Sequence, residues 1–213
     1  VCIAMCDYGC VLDGAVGSEA FAQRNPDVTS TMGSAWEDHR HGAGVGAIGV
    51  AHEALRPMGV KPEQLKFTWP DMFYTPNSGP AGGSRSQVMT GGAIRVACEN
   101  MLKEIAKPGG GYYCYQELVD AGKPTRFDGK YSVPGVPNDE NGLGKPFMVY
   151  MWGIGMAEVT VDVESGKVKV DKMTMHADVG KINNRLVVEG QNYGGLVQGL
   201  GLGLTEDFED IKK

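Results

Sequence analysis

The chain has 213 residues, 42% of them hydrophobic and 22% charged, enough for one large or two small globular domains. Its net charge of −6, without a basic run, argues against nucleic acid as the main partner, because phosphate backbones are held by clustered Lys and Arg. No stretch approaches the roughly 20 apolar residues that span a bilayer, and the opening VCIAMCDYGC lacks the basic flank and apolar run of a signal peptide.

Five cysteines, Cys2, Cys6, Cys10, Cys98 and Cys114, form an odd set without a paired framework. That usage points to a reducing compartment and a cytoplasmic location, with the periplasm left open. Glycine is unusually frequent, 32 of 213 residues, and falls in clusters between apolar segments. Such clusters imply tight backbone packing around something rather than a flexible linker.

The chain opens inside an apolar run without a Met and closes on Lys212 and Lys213 directly after a helical pattern, so both ends read as cuts in a longer polypeptide. Over residues 42–58, Val45, Ile48, Ala51, Ala54 and Leu55 recur at helical spacing until Pro57 and Gly59. Residues 65–69 form a short strand candidate that leads into a turn-rich stretch. A second helix follows over residues 87–105, with Val88, Ile94, Ala97, Met101 and Ile105 periodic.

Residues 109–146 are rich in Gly, Pro, Asp and Tyr and read as an irregular excursion with a short helix near residues 115–121. Alternation over residues 148–163, a turn at Glu164, Ser165, Gly166 and Lys167, and renewed alternation to Met175 predict a β-hairpin. The last segment, residues 184–210, carries Tyr193, Leu196, Val197, Leu200, Leu204 and Phe208 on one helical stripe despite five glycines. Each interior Gly costs a helix about 1 kcal/mol relative to Ala. Gly194, Gly195, Gly199, Gly201 and Gly203 are therefore expected to line a buried helix where a neighbour approaches closely. Helices outnumber strands in this reading but mix with the hairpin, giving an α+β class. Residues 1–108 form a first lobe, residues 109–146 the excursion, and residues 147–213 the hairpin and glycine-rich helix.

Four features carry chemistry. The loop SGPAGGSRSQ, residues 78–87, precedes a helix: Gly82 and Gly83 let backbone amides approach a ligand, Ser84 can cap the helix, and Arg85 and Ser86 add donors. A helix N-terminus offers unpaired N–H groups and about half a positive charge, which suits phosphate. The same residues also fit a plain turn with an N-cap, and the loop matches neither a P-loop nor a Rossmann fingerprint. The run Trp36 to Gly42 places His39, Arg40 and His41 beside two carboxylates, compatible with an anion or cofactor contact, a metal site of H-x-H type, or a solvated loop. Cys2, Cys6 and Cys10 recur every fourth residue but lack cluster-binding spacing, so buried small hydrophobes are expected. Asn183 and Asn184 read as a turn, and Gln191 then sits in the first part of the last helix with a carboxamide that can donate and accept.

Three segments, GPAGGSRSQVMTGGAIRVACENML, KPFMVYMWGIGMAEVTVDVESGKVKVDKM and ADVGKINNRLVVEGQNYGGLVQGLGLGLTEDFEDIKK, occur in this order and resemble the cofactor-binding region of the xanthine oxidase family of molybdenum hydroxylases, nearest its bacterial aldehyde-oxidising branch. The resemblance covers essentially the whole chain. It implies part of a two-domain α+β molybdenum-binding region, a molybdopterin cytosine dinucleotide cofactor carrying Mo, and an aldehyde substrate hydroxylated to the acid with oxygen from water. By the same resemblance Ala81, Gly82, Gly83, Ser84, Arg85 and Ser86 wrap the cofactor's phosphate and nucleotide portion, Gln191 hydrogen-bonds it, and His39, Arg40 and His41 occupy a third cofactor-binding segment. Relatives carry Gly-Gln where this chain has Arg40 and His41.

The resemblance places the catalytic glutamate and the [2Fe–2S] clusters in chain outside this segment, so no catalytic residue and no protein ligand to the metal is expected here; the acidic run Glu206, Asp207, Glu209 and Asp210 reads as a solvated face. It further implies iron–sulfur domains of the same enzyme and a homodimer as partners. Two alternatives stay open: another hydroxylase of the family, acting on purines, carbon monoxide or N-heterocycles, or a truncated non-catalytic assembly module.

Overall fold

The structure, a computed structural model, describes residues 1–12, 17–39, 41–133, 138–145 and 147–206. The chain forms two compact units, one of Val1–Tyr8 with Tyr150–Lys213 and one of Gly9–Val149. In chain order the elements are β1 (Cys2–Leu12), β2 (Ser18–Arg24), β3 (Ser30–Gly33), α1 (Ala43–Ala54), β4 (Leu65–Thr68), α2 (Ser86–Ile105), α3 (Tyr115–Asp120), β5 (Arg126–Tyr131), β6 (Phe147–Val161), β7 (Val168–Asp178) and α4 (Arg185–Leu204). Among the described residues no helix is long and apolar enough to cross a membrane.

The unit Gly9–Val149 is a four-stranded sheet of order β4-β3-β2-β5 with α1 and α2 packed on it. β2 pairs antiparallel with β3 and β5, whereas β3 and β4 run parallel. Parallel neighbours need a crossover rather than a tight turn, and α1 supplies it. The core between helices and sheet is built largely from small side chains: Ala20 and Ala22 of β2, Ala47 and Ala51 of α1, and Ala93 and Ala97 of α2, all fully buried. Small residues let the α2 backbone lie directly on β5, where Gly129 faces it. A Cβ on Gly129 would lie 2.8 Å from Ala97 Cα and closer still to Ala93 O and Ala97 N.

The sheet's other face buries Phe21, whose ring has room because Gly33 beside it has no side chain. Tyr74 meets Phe21 edge-on at 5.2 Å, and the Arg126 guanidinium lies 3.8 Å from its centroid. An aromatic face draws a cation in this way.

In the unit Val1–Tyr8 with Tyr150–Lys213, β6 and β7 form the predicted hairpin, registered from Trp152 opposite Asp178 to Val161 opposite Val168. Its turn is held by Asp162, which accepts from the N–H groups of Glu164 and Ser165, and by Gly166 at φ 70. β1 flanks β6 in a three-stranded sheet. Asn184 caps α4 by accepting from Val187 N at 3.2 Å, as its place in a turn suggests.

Several expectations are corrected. Strands outnumber helices, seven to four α-helices among the described residues: β2 and β3 show no strong apolar alternation, and the alternation of Phe127 and Tyr131 in β5 is short and interrupted by Gly129. The excursion over residues 109–146 contains β5, hydrogen-bonded along β2, as well as the expected helix α3. The fully formed α4 buries none of its residues, and nothing lies within 4 Å of a Cβ built on Gly194, Gly195, Gly199 or Gly203. The expected buried helix with close neighbours is thus not formed among the described residues. Cys2 and Cys6 are exposed rather than buried, while Cys98 is fully buried and its thiol is pushed up to about 12 by loss of solvent. The Cys10 side chain, Phe208 and the acids Asp207, Glu209 and Asp210 lie outside the described residues, and Glu206 is exposed.

Substituting Gly129 by Ala forces a methyl group against the backbone of α2. Overpacking of this kind costs about 1–3 kcal/mol. Gly129→Ala is therefore expected to lower the urea midpoint of the protein, measured beside wild type by equilibrium unfolding, with far-UV signal of the native state retained.

Candidate functional site

The topology brings two separate sequence features together. Because β3 and β4 are parallel, their carboxyl ends lie at the same edge of the sheet, and the chain leaving each strand emerges there. After β3 come residues 34–42 and then α1; after β4 come residues 69–85 and then α2. Both helices therefore begin at that edge and run the same way. Their contacts agree: a Cβ on Gly46 would meet Gln87 Oε1 at 3.0 Å, and one turn further a Cβ on Gly91 would meet Val50 Cγ2 at 3.4 Å. Crevices at the carboxyl ends of parallel strands are the usual ligand positions of α/β sheets.

Ser78 pins the two segments together. Its fully buried hydroxyl donates to Glu19 O at 2.9 Å and accepts from Ala35 N at 2.8 Å. Its carbonyl accepts from Ser18 Oγ at 2.6 Å and from Arg85 Nη1 at 3.1 Å. A second tie runs from Ala81 N to Glu37 Oε2 at 3.0 Å. Arg85 is buried and Nη1 also donates to Pro80 O at 3.0 Å, so part of its guanidinium braces the loop from inside. Gly79 permits this, at φ 70 and with a Cβ position only 2.6 Å from Arg85 Nη1.

The two helix starts differ. At α1, Asp38 accepts from the N–H groups of His41, Gly42 and Ala43 at 2.8, 3.1 and 3.1 Å, and its carboxylate lies 3.2 Å from His41 Nδ1. Desolvation pushes the Asp38 pKa up, but those three N–H groups and His41 together hold it below the usual carboxylate range. The positive end of α1 is thus already met by a resident anion. At α2 the N-cap is Arg85, without a side-chain cap, and Ser84 precedes it at φ 53, outside the geometry expected of a capping serine. The N–H groups of Ser86 and Gln87 meet no acceptor among the described residues. An uncapped helix start leaves N–H groups and partial positive charge unmatched, the general condition under which a helix end attracts an anion.

Two buried polar atoms at this edge are also unmatched among the described residues: Ser34 Oγ and Trp36 Nε1, both in the segment that leads from β3 into α1. Buried donors and acceptors nearly always have partners, so such orphans mark places where a ligand or water completes the bonding. A Cβ on Gly82 would meet nothing within 4 Å, so the loop is open on that side.

Residues 1–210 match the family described as molybdopterin cofactor-binding domain. The chain belongs to that family. It is 61% identical over 208 residues to an aldehyde oxidoreductase of Megalodesulfovibrio gigas, covering 97% of this chain and 23% of the relative. It is 27% identical over 162 residues to the xanthine dehydrogenase/oxidase of Mus musculus, covering 73% of this chain and 12% of that one. The solved aldehyde oxidoreductase from Desulfovibrio gigas superposes with a TM-score of 0.94 at 60% identity, over 99% of this chain and 24% of that chain. That from Desulfovibrio desulfuricans superposes at 0.93 with 53% identity, over 99% and 23%. The chain therefore spans about a quarter of the length of the aldehyde oxidoreductases and 12% of the xanthine dehydrogenase/oxidase. The expected family and α+β fold are both confirmed.

Most of the residues that the sequence marks gather at this sheet edge. His39 and His41 lie here, their rings stacked at 5.9 Å, in irregular chain rather than on the strand that an H-x-H metal site would use. Among the described residues no three His, Cys, Asp or Glu side chains cluster as metal ligands. Ala81, Gly82, Gly83, Ser84, Arg85 and Ser86 lie at the same edge, Arg40 lies outside the described residues, and Gln191 is exposed on α4 in the other unit. Ser34, Ser78 and Trp36 escaped selection as site residues. Trp36 and Ser78 each open one of the two marked motifs; nothing in the sequence distinguishes Ser34.

Asp38→Ala removes the resident anion of α1. A hydrogen bond to a charged group contributes about 1.5–3 kcal/mol, and the variant is expected to unfold at lower urea with faster exchange of the His41 to Ala43 amides. A carboxyl held below its unfolded value stabilises the fold above about pH 3.9 and loses that contribution as pH falls through the lower folded value. The stability gap between wild type and Asp38→Ala should accordingly close as pH drops from 5 towards the folded pKa. A gap independent of pH would mean that the carboxylate charge is not what holds the helix.

Proposed function

We propose that this chain is the cofactor-gripping part of a molybdenum-dependent oxidoreductase that converts aldehydes to carboxylic acids, and that its cofactor is the cytosine dinucleotide form of molybdopterin. The observation that carries the proposal is the uncapped start of α2 beside the parallel start of α1, with Ser34 Oγ and Trp36 Nε1 buried and unmatched in the same edge. A pyrophosphate is the part of a dinucleotide cofactor that needs such an end. The choice of aldehydes rests on the 61% identity to the Megalodesulfovibrio gigas aldehyde oxidoreductase.

In this reading the amides of Gly82, Gly83, Ser84 and Ser86 hold phosphate oxygens, and the Ser84 and Ser86 hydroxyls add donors. Arg85 keeps the loop in shape through Ser78 and Pro80 and adds positive charge near the phosphates. Ala81 leaves space for the nucleotide portion. His39, Arg40 and His41 contact the pterin side, where Arg40 brings a positive charge that Gly-Gln in relatives lacks. Gln191 donates and accepts through its carboxamide. When bound, the cofactor's molybdenum supplies the redox chemistry, taking up the two electrons released as an aldehyde gains oxygen from water. The residues of this chain bind and orient the group; the catalytic base and the [2Fe–2S] clusters that carry the electrons away belong to other parts of the full polypeptide, which works as a homodimer.

Acid hydrolysis of the purified full-length protein, followed by molybdenum and nucleotide analysis, tests this directly. One molybdenum and one CMP per chain are expected. AMP, GMP or no nucleotide would exclude the cytosine dinucleotide, and absence of molybdenum from protein that turns over aldehydes would exclude the reading as a whole.

A further inference from the structure

We propose that a cavity at the opposite end of α2 from the cofactor edge binds a small organic carboxylate through the guanidinium of Arg24. Arg24 ends β2, and its backbone N–H donates to Thr125 O at 2.8 Å. The side chain is 94% buried, yet among the described residues its only acceptor is Ser30 Oγ, 3.1 Å from Nη1. Nε is buried without a partner, and no described Asp or Glu forms an ion pair with the group. Arginine is almost never buried without a counter-charge, because withdrawing the ion from water is costly unless another charge or a full set of acceptors replaces it. Burial accordingly lowers the guanidinium pKa, and the one group that raises it is the nearby Cys114.

The same side chain lines a cavity of about 720 Å³, which falls within the range of small-molecule sites, ~300–1,000 Å³. Pro57, Met58 and Tyr112 give part of an otherwise largely polar lining an apolar surface, and Lys107 is its other cation. The Lys107 ammonium is already matched by Glu117, 2.6 Å away, an ion pair that holds the Glu117 carboxyl down at about 2. One unmatched guanidinium beside apolar wall calls for a monoanion with an organic body. A carboxylate meets that description, since its two oxygens fit the guanidinium fork; a phosphate dianion would bring more charge than the cavity can match. All of these residues lie in the unit Gly9–Val149, and the 20-residue α2 sets the cavity about 30 Å from the phosphate-binding loop. The site is therefore separate from the cofactor and independent of the reading given for it.

The test uses the full-length protein with its cofactor. Crystals soaked in 4-bromobenzoate are expected to show an anomalous bromine peak in the cavity with the carboxylate on Arg24. In calorimetric titration with sodium benzoate, Arg24→Gln should weaken a saturable site at least about tenfold, Arg24→Lys should weaken it less because charge remains without the fork, and Lys107→Met should weaken it only modestly. No peak beside Arg24, binding unchanged in Arg24→Gln, or inorganic phosphate displacing benzoate at equal concentration would each overturn the proposal. The soak needs only wild-type protein, so it decides the matter even if Arg24→Gln does not fold.

Discussion

The parallel pairing of β3 with β4 is the constraint on which the site depends. It is a short pairing, Ser30 opposite Leu65 through Gly33 opposite Thr68. Its direction nevertheless decides that two stretches of chain, some forty residues apart in sequence, leave the sheet at one edge and enter helices that begin side by side. An antiparallel β4 would carry residues 69–85 to the opposite edge and leave the loop SGPAGGSRSQ without the His39 segment beside it. Everything chemical at that edge follows from the direction of those four residue pairs.

Aligning two helix starts gathers positive potential in one place, and the chain treats the two ends differently. Asp38 closes α1 with three backbone bonds, which fixes the segment containing His39 and His41. Among the described residues no side chain closes α2, and the nearest candidate, Ser84, is held at φ 53, a conformation that costs an L-residue about 1–2 kcal/mol. Strained backbone persists where the surroundings fix it, and here Ser78 and Arg85 fix the loop from within. Protein groups thus neutralise one helix end, while the other keeps its first N–H groups open among the described residues.

The sequence made the helices and the hairpin legible because their apolar periods are long and clean: α1, α2 and the β6–β7 pair lie within a few residues of their expected bounds. β2 and β5 were hidden for a physical reason. The helix-facing positions of β2 hold Ala20 and Ala22, small residues that leave almost no alternation to read, and in β5 Gly129, which lets α2 rest on the sheet, interrupts the short alternation of Phe127 and Tyr131. The stripe on α4 was legible, but its burial was not, since the described residues put nothing against it. At the site, glycine and serine chemistry marked the loop at residues 78–87, and charge marked the run at residues 36–42. Their meeting could not be read, because it rests on β3, whose four residues, Ser-Thr-Met-Gly, carry no pattern of their own. The unmatched Ser34 and Trp36 atoms were equally silent, as an orphaned polar atom exists only once the fold has buried it.

The most direct question is whether the cofactor's phosphates sit at the open start of α2. Amide hydrogen exchange, compared between cofactor-loaded and cofactor-free full-length protein, reads those N–H groups individually. The account requires strong added protection at Gly82 to Gln87 in the loaded form, with little change at the His41 to Ala43 amides that Asp38 already occupies. Equal exchange at Ser86 and Gln87 in both forms would contradict it.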